Sequence, residues 1–228
     1  AWAAGRRAAA IRDALVRMAR APDRSFYSPL GRKSWVTRLG IEWSGGGLVD
    51  VSSFLGDWFE FVGTSRLEEL RHPLRVVASE FWTRQEVVFE HGDLATAVRA
   101  SMSLPAVFKP VVHDGRVLVD GGCVNPVPVD RLDEDCDITI AVDVLGDRSH
   151  GPEELPNLVE AVLNTFQIME ASIVREKLAR RPATLTIRPD TTDVDLLGFQ
   201  HLERLLEETA PLRDEVREKV REAIARAP

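Results

Sequence analysis

The sequence predicts an α/β fold in which a layered sheet is flanked by helices. Short β-branched runs alternate along the chain with segments of helical period, and this alternation is typical of layered α/β domains. One run, residues 138–142, is almost entirely apolar, as in parallel strands that are covered on both faces. The 228 residues are 44% hydrophobic and 29% charged, which is enough to bury a core, and one domain over residues 1–228 is the simplest interpretation.

Two amphipathic helices are predicted in the first part of the chain. Residues 7–19 carry apolar side chains at helical spacing and are closed by Pro22, and residues 51–62 place a mostly aromatic face on one side. Between them, residues 22–47 are rich in Ser, Gly, Pro and Arg, which predicts a long loop or lid. Residues 1–5 are typical of the end of a small-residue, apolar helix.

The middle of the chain combines strands with a capped helix. Residues 74–78 and 86–89 are short β-branched runs on either side of a turn-like Thr83-Arg84-Gln85. Asp93 is a suitable N-cap for a helix with apolar positions at three-residue and four-residue steps, which Pro105 ends. This region therefore predicts two consecutive strands followed by a helix.

The second half of the chain repeats the alternation. The apolar strand at 138–142 is followed by a long amphipathic helix that starts at Pro156, and then by a strand at 184–187. A final helix, residues 201–227, is charged on most faces. No internal repeat interrupts this order.

The composition argues against several functional classes. A net charge of -7 argues against nucleic acid as a partner, because phosphate binding needs clustered Lys and Arg. Cys123 and Cys136 are too few for a disulfide framework or a thiolate zinc site, and the five histidines are scattered, so we predict no metal and no cofactor. No apolar run of about 18 residues and no signal-peptide pattern is found, so we expect a cytoplasmic chain that does not span a membrane.

The motif with the most chemical content lies between residues 100 and 128. An Ala-Ser helix end and a Pro-Ala-Val-Phe stretch within 100–110 precede a strand, 116–119, that runs into Asp120-Gly121-Gly122, and an Asn-Pro-Val-Pro turn follows at 125–128. In order and spacing these segments resemble the patatin-like phospholipase family, and the resemblance extends over most of residues 45–145.

The resemblance implies a three-layer fold with a mainly parallel sheet flanked by helices. It also implies hydrolysis of carboxylic esters of lipids, of phospholipase A, lysophospholipase or esterase type, so the expected partner is a lipid or other acyl ester substrate. The catalytic pair that the resemblance implies is a Ser-Asp dyad, in which Asp120 matches the aspartate that acts as the general base. Gly121 and Gly122 then form the active-site turn, where the missing side chains let an acyl group approach the backbone.

Under the same resemblance, residues 1–5 match the end of the helix that follows the family's nucleophile elbow. The serine is then expected about two helical turns before Ala1. The first strand and the elbow are accordingly expected to be absent from this chain, which alone should be inactive. The alternative is a non-catalytic regulatory or interaction module on the same scaffold.

Other motifs allow a second interpretation. Asp-Gly-Gly alone also favours a simple strand-terminating turn, but the matching segments on both sides favour the catalytic aspartate. The residues at 44–47 resemble an oxyanion loop or a flexible turn. Ser65 resembles an elbow serine or a helix cap, and Leu67 stands where the elbow needs its second glycine. His113 reads as part of a hairpin turn, and Asp143 as a structural hydrogen-bonding residue.

The stretch 24–43 combines Arg and Lys with Tyr27, Trp35 and Trp43. Such a pattern fits a solvated loop with some packed aromatic side chains, and peripheral contact with a membrane surface is the second interpretation. No feature of the sequence indicates an oligomeric state.

Overall fold

The computed structural model describes residues 1–20, 52–105, 107–145, 155, 158–190 and 202–226. The helices of this part are α1 (Ala8–Arg20), α2 (Ser52–Val62), α3 (Leu94–Ser101), α4 (Leu158–Arg180), α5 (Leu202–Glu208) and α6 (Leu212–Arg226). The strands are β1 (Val76–Glu80), β2 (Gln85–Phe89), β3 (Val111–His113), β4 (Arg116–Asp120), β5 (Ile140–Val142) and β6 (Leu185–Ile187). Short 3₁₀ turns occupy Leu67–Glu69, Gly121–Cys123 and Val129–Arg131.

The described strands form two sheets. One has four strands in the order β2-β1-β4-β3, and every neighbouring pair in it is antiparallel. The other pairs β5 with β6 in parallel. The α/β class is confirmed, but the sheet differs from the mainly parallel one that we expected, since the larger sheet is antiparallel. The reason is that tight turns join β1 to β2 and β3 to β4, and connections this short allow only antiparallel pairing.

The register of the four-stranded sheet decides which side chains share a face. Ala78 of β1 lies opposite Asp120 of β4, and Leu118 lies between Glu80 on β1 and Val111 on β3. Side chains alternate between the two faces along each strand. Asp120 therefore projects to the same side of the sheet as Leu118 and Ala78.

That side of the sheet carries the main hydrophobic core of the first part of the chain. Helix α3 lies on it, and the Asp93 carboxylate caps the helix by accepting a hydrogen bond from the Thr96 amide at 2.7 Å. The buried members of this core are Val62, Leu67, Ala78, Phe89, Leu94, Ala97, Ala100, Val111 and Leu118. Ala1 and Ala4 pack against this same cluster, so the beginning of the chain is part of the core.

Chain contacts divide the protein into two compact units. The first contains Ala1–Gly121 with Leu196–Glu203, and the second contains Gly122–Asp195 with Arg204–Pro228. The second has its own small core, in which Val127, Val129, Ala141 and Val174 are buried. The interpretation of residues 1–228 as one domain stays a prediction, and the loop or lid at 22–47 lies outside the described residues.

Most of the predicted elements are present within one or two residues of the expected bounds. The final helix is an exception, because it divides into α5 and α6 at Pro211, whose ring removes a backbone donor and disfavours a continuous helix. The apolar strand β5 is a second exception, since Ile140 and Val142 are exposed although both faces were expected to be covered. Among the described helices, none is both long and apolar enough to cross a membrane.

Candidate active site

Asp120 is the final residue of β4, a central strand of the four-stranded sheet, and it is half-buried. It points to the side on which α3 and the beginning of the chain pack, as the register with Ala78 requires. The position is therefore a strand end next to a packed core rather than the tip of an exposed hairpin. The strand fixes the backbone of Asp120 and therefore the face of the sheet from which its side chain projects.

Two buried serines fix the backbone of Asp120. The Asp120 amide donates a hydrogen bond to the Ser103 carbonyl oxygen at 3.0 Å, and the Ser79 hydroxyl donates to the Asp120 carbonyl oxygen at 2.7 Å. Ser79 and Ser103 are only 2% and 0% exposed. Both polar groups of the Asp120 backbone are thus satisfied inside the protein, which leaves little freedom for the residue to move.

Ser103 links this strand end to the segment that follows α3. Its hydroxyl oxygen lies 2.7 Å from the Arg99 carbonyl oxygen and 3.1 Å from that of Lys109, so one hydroxyl hydrogen serves two carbonyls. Neither Ser79 nor Ser103 was predicted as a site residue. The signal that could have marked each is a serine among apolar residues, because a hydroxyl in a buried strand or loop needs a hydrogen-bonding partner.

The turn after Asp120 requires a glycine at its first position. Gly121 is buried, and a β-carbon placed on it would stand 2.2 Å from the Val77 carbonyl oxygen and 2.8 Å from its carbonyl carbon. No real β-carbon tolerates such a contact. Gly121 and Gly122 then enter the 3₁₀ turn Gly121–Cys123, so the chain bends sharply directly after the carboxylate.

The Asn-Pro-Val-Pro turn serves the second unit. Asn125 is 2% exposed and donates from Nδ2 to Oδ1 of Asp130 at 3.0 Å. Lys177 of α4 donates from Nζ to both carboxylate oxygens of Asp130 at 3.1 Å. This network, Asn125–Asp130–Lys177, attaches the long helix α4 to the turn that follows the motif.

The electrostatics of this network favour the ionised form of Asp130. Burial acts to raise the pKa of Asp130, but the hydrogen bonds from Asn125 and Lys177 and the positive charge of Lys177 outweigh it. The pKa of Asp130 is therefore held below its ordinary value. The carboxylate therefore stays charged at neutral pH, where it is bonded to Asn125 and Lys177.

His113 and Asp143 take the places expected for non-catalytic residues. His113 ends β3 and pairs with Arg116, at the opposite end of β4 from Asp120, and the hairpin turn through Asp114 confirms its expected position. Asp143 is buried, and its carboxylate accepts hydrogen bonds from Arg188 Nε at 3.0 Å and from the Leu145 amide at 3.3 Å. His113 thus lies at the other end of β4 from Asp120, and Asp143 forms an ion pair with Arg188.

Of the two motifs that resembled catalytic loops, only the one at Ser65 lies in the described part of the chain. The glycine-rich residues 44–47 lie outside the described part of the chain. Ser65 follows helix α2 in an irregular segment, without the strand that an elbow serine requires. It is not a helix cap either, because Arg66 is the N-cap of the turn Leu67–Glu69 and makes no side-chain capping bond.

Asp120 is not among the described residues that line two of the surface cavities of the first unit. One, of about 600 Å³, is bordered by α1 and α2 residues that include Arg6, Arg17 and Phe61. The other, of about 430 Å³, is bordered by residues that include Ser65, Glu69 and Asp93. The candidate active site is consequently defined by the strand end and its glycine turn.

The region that contains Asp120 matches a known protein family. The sequence model of the patatin-like phospholipase family matches residues 1–133, which include Asp120 and both glycines of the turn. An NTE family protein of Mycobacterium tuberculosis is 32% identical over 145 residues, covering 60% of this chain and 40% of that protein. Lysophospholipase NTE1 of Kluyveromyces lactis is 27% identical over 132 residues, covering 47% of this chain and 9% of that protein.

The chain spans less than half of the length of each of these two relatives. The family match nevertheless extends over more than half of the chain and contains the strand end and turn described above. The chain belongs to the patatin-like phospholipase family.

Proposed function

We propose that this chain provides the catalytic carboxylate of a lipid carboxylic ester hydrolase, with Asp120 as the general base of a Ser-Asp dyad. The observation that carries the proposal is the way Asp120 is held. Its backbone is bonded to two buried serines, and the residue after it has no room for a side chain. A fixed, half-buried carboxylate at a strand end is what a direct proton transfer needs, since the base must meet the hydroxyl at hydrogen-bond distance.

In this proposal the nucleophilic serine lies upstream of Ala1 in the full-length protein. Ala1 and Ala4 pack on the core cluster that contains Ala78, and Ala78 is the residue paired with Asp120. This packing supports a short path from the beginning of the chain to the carboxylate. The serine Oγ would attack the ester carbonyl carbon while its proton moves to Asp120, and the ester C–O bond would then break as the alcohol leaves with that proton. A water molecule, giving its proton to Asp120, would next attack the acyl-serine, so that the fatty acid is released and the serine hydroxyl recovers the proton.

The proposed substrates are acyl esters of phospholipids or lysophospholipids. This class follows from the family to which the chain belongs and from the lysophospholipase relatives in Kluyveromyces lactis and Candida glabrata. Gly121 and Gly122 would form the turn along which the acyl group approaches, because they present backbone without side chains.

The test is hydrolysis of a lysophospholipid and of a soluble 4-nitrophenyl ester by the full-length protein. Asp120→Asn should lower kcat by about 100-fold or more, in the range that positioned general bases contribute. Asp114→Asn is the matched control, because Asp114 is an 84% exposed aspartate of the same sheet, in the β3–β4 turn. Equal activity of wild type and Asp120→Asn would refute the dyad, and absence of any hydrolysis by wild type would favour the non-catalytic module.

A further inference from the structure

The turn between β1 and β2 presents two aromatic side chains to solvent. Phe81 is 48% exposed and Trp82 is 73% exposed, and their rings meet edge to face with centroids 4.9 Å apart. Exposed single aromatic residues are common, but adjacent ones on a projecting turn indicate a surface that contacts something apolar. We call Phe81 and Trp82 the aromatic tip.

The aromatic tip is rigid. The carboxylate of Glu80 accepts hydrogen bonds from the backbone amides of Trp82 and Thr83, which closes the turn from inside. The Phe81 amide donates to the Val117 carbonyl oxygen at 2.8 Å, so the base of the turn is joined to β4. A surface that is already ordered loses little conformational entropy when it binds.

Apolar and basic side chains extend this surface across the sheet. Val117 of β4 accepts the hydrogen bond from the Phe81 amide and pairs with Val112 of β3. Val112 is 74% exposed, and it shares a face of the sheet with Val117 because directly paired residues project to the same side. Arg84 and Arg116 are exposed at the same end of the sheet, and within the described residues neither forms an ion pair. Asp114 is exposed at this end as well, whereas the Glu80 carboxylate is buried beneath the turn, so among these groups two exposed positive charges stand against one exposed negative charge.

We propose that the aromatic tip docks on a phospholipid surface, with Arg84 and Arg116 contacting lipid phosphates. Aromatic side chains, Trp above all, are favoured at the boundary between headgroups and acyl chains, where the rings are covered and the indole N–H still finds a partner. The arginines favour anionic lipids through an attraction that salt screens. This inference rests on the proposed function, which requires the enzyme to work where lipid esters are present.

The aromatic tip and Asp120 lie at opposite ends of β4. Along β4, Val117 beside the tip and Asp120 are three residues apart, which is about 10 Å in a strand. The tip is at the beginning of β4 and Asp120 at its end. Replacing the tip should therefore reduce membrane binding without touching the catalytic carboxylate.

The experiment is co-sedimentation of the full-length protein with vesicles of phosphatidylcholine, with and without added phosphatidylglycerol. Phe81→Ser combined with Trp82→Ser should weaken binding by about tenfold or more, because the apolar area that enters the interface is lost. Trp2→Ser is the matched control, since Trp2 is 67% exposed but lies outside the tip, stacked on His72. It should bind like wild type, and Arg84→Asn with Arg116→Ser should abolish the preference for anionic vesicles.

Each outcome decides the proposal. Wild-type protein that stays in the supernatant, or a tip double variant that binds as wild type does, would overturn it. A wild-type dimer that becomes a monomer in the tip double variant, with vesicle binding unchanged, would identify the tip as a protein contact and also overturn it. Hydrolysis of a soluble ester is scored separately: the tip double variant should keep it, and its loss in Asp120→Asn with normal vesicle binding tests the catalytic proposal alone.

Discussion

Gly121 lies so close to β1 that a β-carbon on it would stand 2.2 Å from the Val77 carbonyl oxygen. Val77 belongs to the strand that pairs with β4, so the contact joins the turn after Asp120 to the middle of the sheet. The obstructing atom is backbone, which cannot rotate aside as a side chain does. The glycine of this turn is thus required by packing as well as by any approach of a substrate.

Gly121→Ala should destabilise the protein. The added methyl group forces the turn and β1 apart, and overpacking of this kind costs about 1–3 kcal/mol in the free energy of unfolding. Chemical denaturation measures the loss, and ester hydrolysis should fall as well because Asp120 moves with the turn. Gly56→Ala is the control: nothing lies within 4 Å of its β-carbon position in helix α2, so alanine there should stabilise by about 0.5–1 kcal/mol.

Ser79→Ala should weaken the fold through a different contact. The change removes the hydroxyl that donates a hydrogen bond to the Asp120 carbonyl oxygen at 2.7 Å. The carbonyl oxygen then loses this donor inside the protein. The expected loss is about 1–3 kcal/mol in the free energy of unfolding. Ser172→Ala removes a similar bond, to the Ile168 carbonyl oxygen at 3.0 Å on exposed α4, and should change stability by less than about 0.5 kcal/mol. Equal losses in both variants would contradict the buried role of Ser79.

Asp130→Asn should make stability less dependent on pH. The pKa of Asp130 in the folded protein lies below its ordinary value of 3.8, so its ionised carboxylate stabilises the fold above that pH. The contribution is lost as the pH falls below 3.8 toward the lowered folded-state pKa. At neutral pH the variant should be less stable by about 1–3 kcal/mol, since Asn125 and Lys177 lose a charged partner.

Urea unfolding at neutral and at acidic pH checks this prediction. The difference between wild type and Asp130→Asn should shrink as the solution is acidified. Glu134→Gln removes an exposed carboxylate from the same loop and should leave stability within about 0.5 kcal/mol at both pH values. A difference for Asp130→Asn that stays constant down to acidic pH would show that the charge is not what matters.

The elements with strong local signals could be predicted from the sequence. Asp93 capping α3, the turns at Thr83-Arg84 and Asp114-Gly115, and the strand that ends at Asp120 are all where the residues indicate. Each of these depends on interactions within a few residues, such as a side-chain cap or a left-handed turn conformation.

Features that depend on pairing between distant segments could not be predicted. The expectation of a mainly parallel sheet followed the resemblance, although the two predicted hairpin turns already required antiparallel neighbours. Ser79 and Gly121 acquire their roles only when β1 lies beside β4. Pro211 does indicate a break between α5 and α6, but the helical pattern of residues 201–227 favoured one continuous helix.

The central claim is that Asp120 takes the proton from a serine hydroxyl. The most direct measurement is the second-order rate constant for labelling of the full-length protein by a fluorophosphonate, which reports activation of the serine without the later release of product. We predict a fall of about 100-fold or more in Asp120→Asn and no change in Asp114→Asn. Labelling of Asp120→Asn at the wild-type rate would contradict the account.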